Sequence, residues 1–161
     1  VSSARAVFTA DDATLLTPGA SKASRNDHPI LEYQNGQVRS ADFPGGMLID
    51  YNPALVLYVR LFWAAQSAVA GDVLWSVAWE RIDPNGQDLD ADGFAPALTQ
   101  ATTTSATNGV TVETAIAFTQ GQADGITPTD PYRLRVTRLG NAPADTMNNF
   151  AQLLRVEVDQ G

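Results

Sequence analysis

The chain has 161 residues, a formal net charge of −8 and no cysteine. The length suits one domain, disulfides and cysteine-bound metal are excluded, and so acidic a surface repels nucleic acid unless its bases cluster. No apolar run is long enough to cross a bilayer, and the opening VSSARAVFTADDATLL lacks a signal-peptide core.

Residues 1–28 are rich in Ser, Ala, Thr and Asp and show no sustained periodicity, which predicts an extended N-terminal arm. Its bulky apolar groups are Val7, Phe8, Leu15 and Leu16. Such pairs in a polar stretch suit docking in a groove or on a sheet edge of a neighbouring subunit; the alternative is a loosely held terminus. The sole histidine, His28, ends the polar stretch SRNDH before Pro29, which predicts an exposed loop residue.

Residues 29–161 read as strands. PILEY, QVRSADF and MLIDY are short candidates. In LVLYVRLFW, Leu55, Leu57, Val59, Leu61 and Trp63 share one face; in DVLWSVAWERI the face is Val73, Trp75, Val77 and Trp79. VTVETAIAF places Val110, Val112, Ile116 and Phe118 together, and YRLRVTR alternates Tyr132, Leu134 and Val136 with Arg133, Arg135 and Thr137. FAQLLRVEV alternates Phe150, Leu154, Val156 and Val158 with Ala151, Arg155 and Glu157, and Gln152 and Leu153 break the pattern. DADGFAPALTQA and DTMNNFAQLL leave room for a helical turn each. QNGQ, FPGG, DPNG, TNG and GQADG supply turns. The sum is an all-β chain, an antiparallel β-sandwich (jelly roll) of roughly eight strands spanning 29–161 behind the arm.

Three groups of residues were candidates for chemistry. GQDLDADGF opens like a calcium loop with Asp88, Asp90 and Asp92, but its twelfth position is Thr99 and its ninth is Pro96. A hydrophilic connection is therefore expected, with calcium the alternative and no cofactor required. Asp50, Asp72, Glu80 and Asp83 are acids without a visible partnership, and Glu80 opposes the Trp75/Trp79 face. Trp63, Trp75 and Trp79 fall on apolar faces and are expected in the core; the alternative is a sugar-stacking platform. No G-x-S-x-G, phosphate loop or multi-histidine set occurs, so no catalytic residue is assigned and an enzyme is not expected. Arg133, Arg135, Arg138 and Arg155 read as a solvated sheet face, with Arg138 placed to meet Asp145 across a turn.

The order of segments resembles a jelly-roll domain family of tailed-phage virion proteins. The resemblance is carried by Phe43, Pro44, Asp50 and Tyr51; by Trp63, Ala64 and Ala65; and by Gly71, Asp72, Val73 and Trp75. It continues through Asp88, Asp90 and Asp92 to Arg138, Asp145 and Thr146, then Ala151, Leu153, Leu154 and Val156. The resemblance implies a structural virion protein: a capsid decoration (cement) protein on the outer head surface, bound to the major capsid protein, forming a homotrimer, and touching neither nucleic acid nor membrane. A tail or head appendage adaptor is the first alternative. A carbohydrate-binding module, which would need exposed tryptophans, is the second.

Overall fold

A computed structural model describes residues 5–161. In chain order the strands are β1 (Arg5–Thr9), β2 (Thr14–Leu15), β3 (Ser21–Arg25), β4 (His28–Tyr33), β5 (Val38–Gly46), β6 (Leu57–Ala65), β7 (Asp72–Arg81), β8 (Leu98–Thr103), β9 (Val112–Phe118), β10 (Pro131–Leu139) and β11 (Ala151–Gln160). They form two antiparallel sheets, one ordered β3-β4-β11-β6-β9 and the other β2-β5-β10-β7-β8. β1 also joins the first sheet by pairing with β11. The architecture is the expected antiparallel β-sandwich.

Alternation explains how the sheets meet. Leu57, Val59, Leu61 and Trp63 point inward from β6, and Val73, Trp75, Val77 and Trp79 do the same from β7; all eight are buried. Tyr132, Leu134 and Val136 complete the β10 side. The three indole rings lie at zero exposure, which settles them as core and removes the stacking platform. Leu55 and Val110, placed on the apolar faces by periodicity, lie outside the strands and are exposed.

Several expectations need correction. The arm is not separate from Arg5 onward, because β1, β2 and β3 belong to the two sheets. Phe8 is buried against Phe43 and Tyr132, with ring centroids 6.0 and 6.4 Å away. Val7 is exposed beside it on β1, Leu15 is exposed on β2, and Leu16 is half-buried. Of the four residues expected to grip a neighbour, the largest is thus spent on this chain's own core. The region 90–101 forms a turn and coil and then β8 instead of a helical turn, and residues 47–51 are loop, not strand.

β11 carries a register shift between Leu153 and Arg155. Ala151 and Leu153 face the core before it, and Val156 and Val158 after it. One extra residue turns the strand's inner face from odd to even positions, which is why strict alternation misassigned Leu154. The shift falls where β4, paired as far as Leu153, gives way to β1, paired from Arg155 on.

Arg138 points inward, against the solvated-face expectation, and is wholly buried. Its guanidinium donates to both Asp145 oxygens (3.0 and 2.8 Å) and to the carbonyls of Tyr33 (3.2 Å), Asn149 (2.6 Å) and Met147 (2.6 Å). All five donors of the group are satisfied. Asp145 also accepts the Leu74 N–H at 3.0 Å, and the Thr146 hydroxyl accepts the Asp72 N–H at 2.9 Å. The loop 140–150 is thereby tied to both sheets, as the pairing of Arg138 with Asp145 anticipated.

Candidate functional site

A cleft of about 400 Å³ opens on the outer face of the six-stranded sheet. One wall is the β3–β4 hairpin, whose two turn residues, Asn26 and Asp27, have φ of 47° and 63°. Asx residues tolerate that left-handed backbone, and a two-residue turn of this kind matches the strand twist. The opposite wall is Gly109 and Thr111, leading into β9. Ile30, Ala64 and Leu154 supply apolar surface between them, with Leu154 presented by the β11 register shift.

The polar groups of the cleft are held by protein partners. Arg25 reaches across from β3, and its Nη1 donates to the Ala65 carbonyl and to Gln152 Oε1, both at 2.9 Å. Its Nη2 donates to Asn108 Oδ1 at 3.2 Å. Gln152 is buried and turns its amide nitrogen the other way, to Glu32 at 3.0 Å. His28 Nδ1 lies 3.2 Å from the Arg25 carbonyl. A carbonyl only accepts, so this contact is a hydrogen bond when Nδ1 carries a ring proton. His28 is exposed, as expected, yet it lines the cleft. Sequence reading singled out neither Arg25 nor Gln152. The one signal was the break that Gln152 and Leu153 made in the β11 alternation.

Asp50, Asp72, Glu80 and Asp83 lie outside this cleft and are not gathered at one site. Glu80 is buried beneath Arg133 at 2.6 Å, beside Asp42, which takes Arg135 at 2.8 and 3.0 Å. The Phe94 ring covers both guanidinium groups, 4.5 and 4.4 Å from their central carbons. Asp72 accepts from the Thr103 hydroxyl, Asp83 caps the Asn85 N–H, and Asp50 is exposed.

The acidic loop is a turn braced by its own hydrogen bonds, and Asp92 lines a second, smaller cleft of about 220 Å³ with Asp83 and Asp124. Asp92 Oδ2 accepts the Asp88 N–H at 2.8 Å, and Asp88 Oδ1 accepts the Asp90 N–H at 3.0 Å. Among the described residues no group of three or more His, Cys, Asp or Glu is arranged to hold a metal ion. Adding a chelator is expected to leave the melting temperature unchanged; a fall of several degrees would reveal a resident divalent cation.

No protein-family model and no curated protein matches the chain. Solved structures do. A family 35 carbohydrate-binding module from Clostridium thermocellum superposes with a TM-score of 0.55 at 9% identity, covering 96% of this chain and 97% of that one. The C-terminal CBM6 of the laminarinase LamC from Zobellia galactanivorans gives 0.51 at 10% identity, with 97% and 99% covered. An exo-β-1,3-galactanase from Phanerochaete chrysosporium gives 0.50 at 12% identity; the match covers 96% of this chain and 29% of the galactanase. The shared feature is the jelly-roll β-sandwich. These likenesses overturn the capsid-decoration reading and its appendage alternative, since the sandwich aligns with carbohydrate-binding modules where a virion protein was expected. The physical basis of that reading is weakened too, because Phe8, the main anchor of the supposed inter-subunit arm, is packed inside its own domain.

Proposed function

We propose that this chain is a non-catalytic glycan-binding module, with its ligand site in the cleft between the β3–β4 hairpin and Gly109–Thr111. The observation that carries the reading is the composition of the lining. Hydrogen-bonding groups fixed by protein partners, Arg25, Gln152 and His28, stand around the apolar surface of Ile30, Ala64 and Leu154. A sugar ring has the same division, with hydroxyls at its rim and C–H groups on its faces. The volume of about 400 Å³ lies within the ~300–1,000 Å³ usual for small-ligand sites. The sandwich shared with carbohydrate-binding modules supports the reading at the level of fold.

The lining contains no carboxylate, so hydrolysis of a glycosidic bond by a pair of acids has no reagents there. It contains no Phe, Tyr or Trp ring either, so affinity rests on hydrogen bonds, the His28 imidazole and the aliphatic side chains. This differs from the tryptophan platform considered from the sequence.

The test is a glycan array followed by titration calorimetry and NMR mapping. Thr111 is exposed, lies outside the strands and lines the cleft, so Thr111→Trp is expected to fill the cleft and leave the fold in place. The variant is expected to lose binding while its melting temperature stays within about 2 °C, as surface changes usually allow. An array with no binder, or binding untouched by Thr111→Trp, would refute the proposal.

A further inference from the structure

We infer that the glycan taken by this cleft is acidic, and that a sugar carboxylate is gripped by the outer edge of Arg25. The inference rests on the glycan-binding reading and deepens it. A guanidinium has five N–H donors. Arg138 spends all five on the protein, whereas Arg25 spends three: two from Nη1 and one from Nη2. Its Nε–H and the second Nη2 hydrogen find no acceptor among the described residues. Nε and Nη2 form one edge of the planar group, an edge that takes a carboxylate through two parallel hydrogen bonds when Asn108 is held by the Nη2 hydrogen on the other side.

Charge agrees with this geometry. Lys22, Arg25 and Arg39 are the only basic side chains of the described chain without an ion-paired carboxylate, and Arg25 alone of the three lines the cleft. Gln152 gives its carbonyl to Arg25 and its nitrogen to Glu32, and no carboxylate is hydrogen-bonded to the Arg25 guanidinium among the described residues. The guanidinium is held in place before any ligand arrives, so little ordering cost falls on binding. Gly109 keeps the approach open: its φ is +78°, and a Cβ there would lie 3.4 Å from Nη2.

The experiment compares four probes by calorimetry: an oligomer of galacturonic acid, its methyl ester, a neutral galactose oligomer, and a sulfated galactose oligomer. The acid is expected to bind at least roughly tenfold more tightly than its methyl ester, the ratio a charge-assisted pair of hydrogen bonds supplies. Arg25→Gln should remove that preference, bringing acid and methyl ester to equal affinity; Arg25→Lys should recover only part of it. Arg25 also ties the hairpin to β11, so melting curves must accompany the variants. The comparison of acid with ester needs no variant and decides the matter even where both fail to fold. Equal affinity for acid, ester and neutral oligomer would overturn the inference while sparing the glycan-binding proposal. Binding of the sulfated oligomer alone would overturn the carboxylate assignment. Binding of none of the four, with an array binder of another class displaced by Thr111→Trp, would likewise refute acidity and spare the site. Binding of nothing at all would remove both.

Discussion

Asp145→Ala is expected to cost about 3–5 kcal/mol of folding free energy, the usual loss when one partner of a buried ion pair is removed. The Arg138 side chain is at 0% exposure and that of Asp145 at 1%, so water cannot stand in for the missing carboxylate. The arginine would keep its charge with three carbonyls and no counter-ion. The Leu74 N–H would lose its acceptor as well. Against a typical total of ~5–15 kcal/mol, that is a large share. Urea denaturation measures it directly. Arg138→Met combined with Asp145→Leu should be less damaging than Asp145→Ala alone, because the pair is then replaced rather than broken. A loss under about 1 kcal/mol for Asp145→Ala, the value of an exposed pair, would contradict the buried geometry.

Trp75→Ala is expected to cost a further 3–5 kcal/mol, roughly what emptying a buried indole position demands. Trp75 sits at the centre of the aromatic cluster, with the Tyr33 ring centroid at 4.9 Å and that of Trp63 at 5.8 Å, both edge-on. Its Nε1–H has no hydrogen-bond partner among the described residues. Trp75→Phe therefore sacrifices volume but no polar contact and should be much milder than Trp75→Ala. Trp63 contrasts with it, since its Nε1 donates to Thr114 Oγ1 at 2.9 Å, which in turn reaches Thr102 and joins β9 to β8. Thermal unfolding of the variants checks the ranking. Acrylamide should quench the native tryptophan fluorescence poorly, and efficient quenching would mean that the indoles are not where the fold puts them.

The core strands were legible because period-two alternation is a local property. β6 and β7 each carry four large apolar residues at alternate positions and β10 carries three, and no tertiary information was needed to find their inner faces. β3 was not legible. As an edge strand it needs no bulky apolar residues, so SKASR gives no periodic signal. β1 and β2 were hidden for a related reason: each is short, and what holds it is a partner, β11 or β5, more than a hundred or about thirty positions away. β8 was masked by Ala, Thr and Gln, which suit an exposed edge as well as a helical turn. The resemblance to virion proteins rested on segment order, and segment order follows the fold; a sandwich shared by many functions cannot by itself choose one.

The cleft shows the same division. Its residues come from β3, β4, β6 and β11 and from the loop before β9, and none of these segments carries a motif. The amino-acid order by itself determined the two-layer apolar interior, the burial of the three tryptophans and the pairing of Arg138 with Asp145, because each depends on alternation along a strand or on residues a few positions apart. Only the tertiary structure decided that the first strands complete the sheets, that β11 shifts register at Leu154, and that Arg25 meets Ala65, Asn108 and Gln152. Those contacts join residues 40 to 127 positions apart, and no local pattern encodes which distant segments a folded sheet will bring side by side.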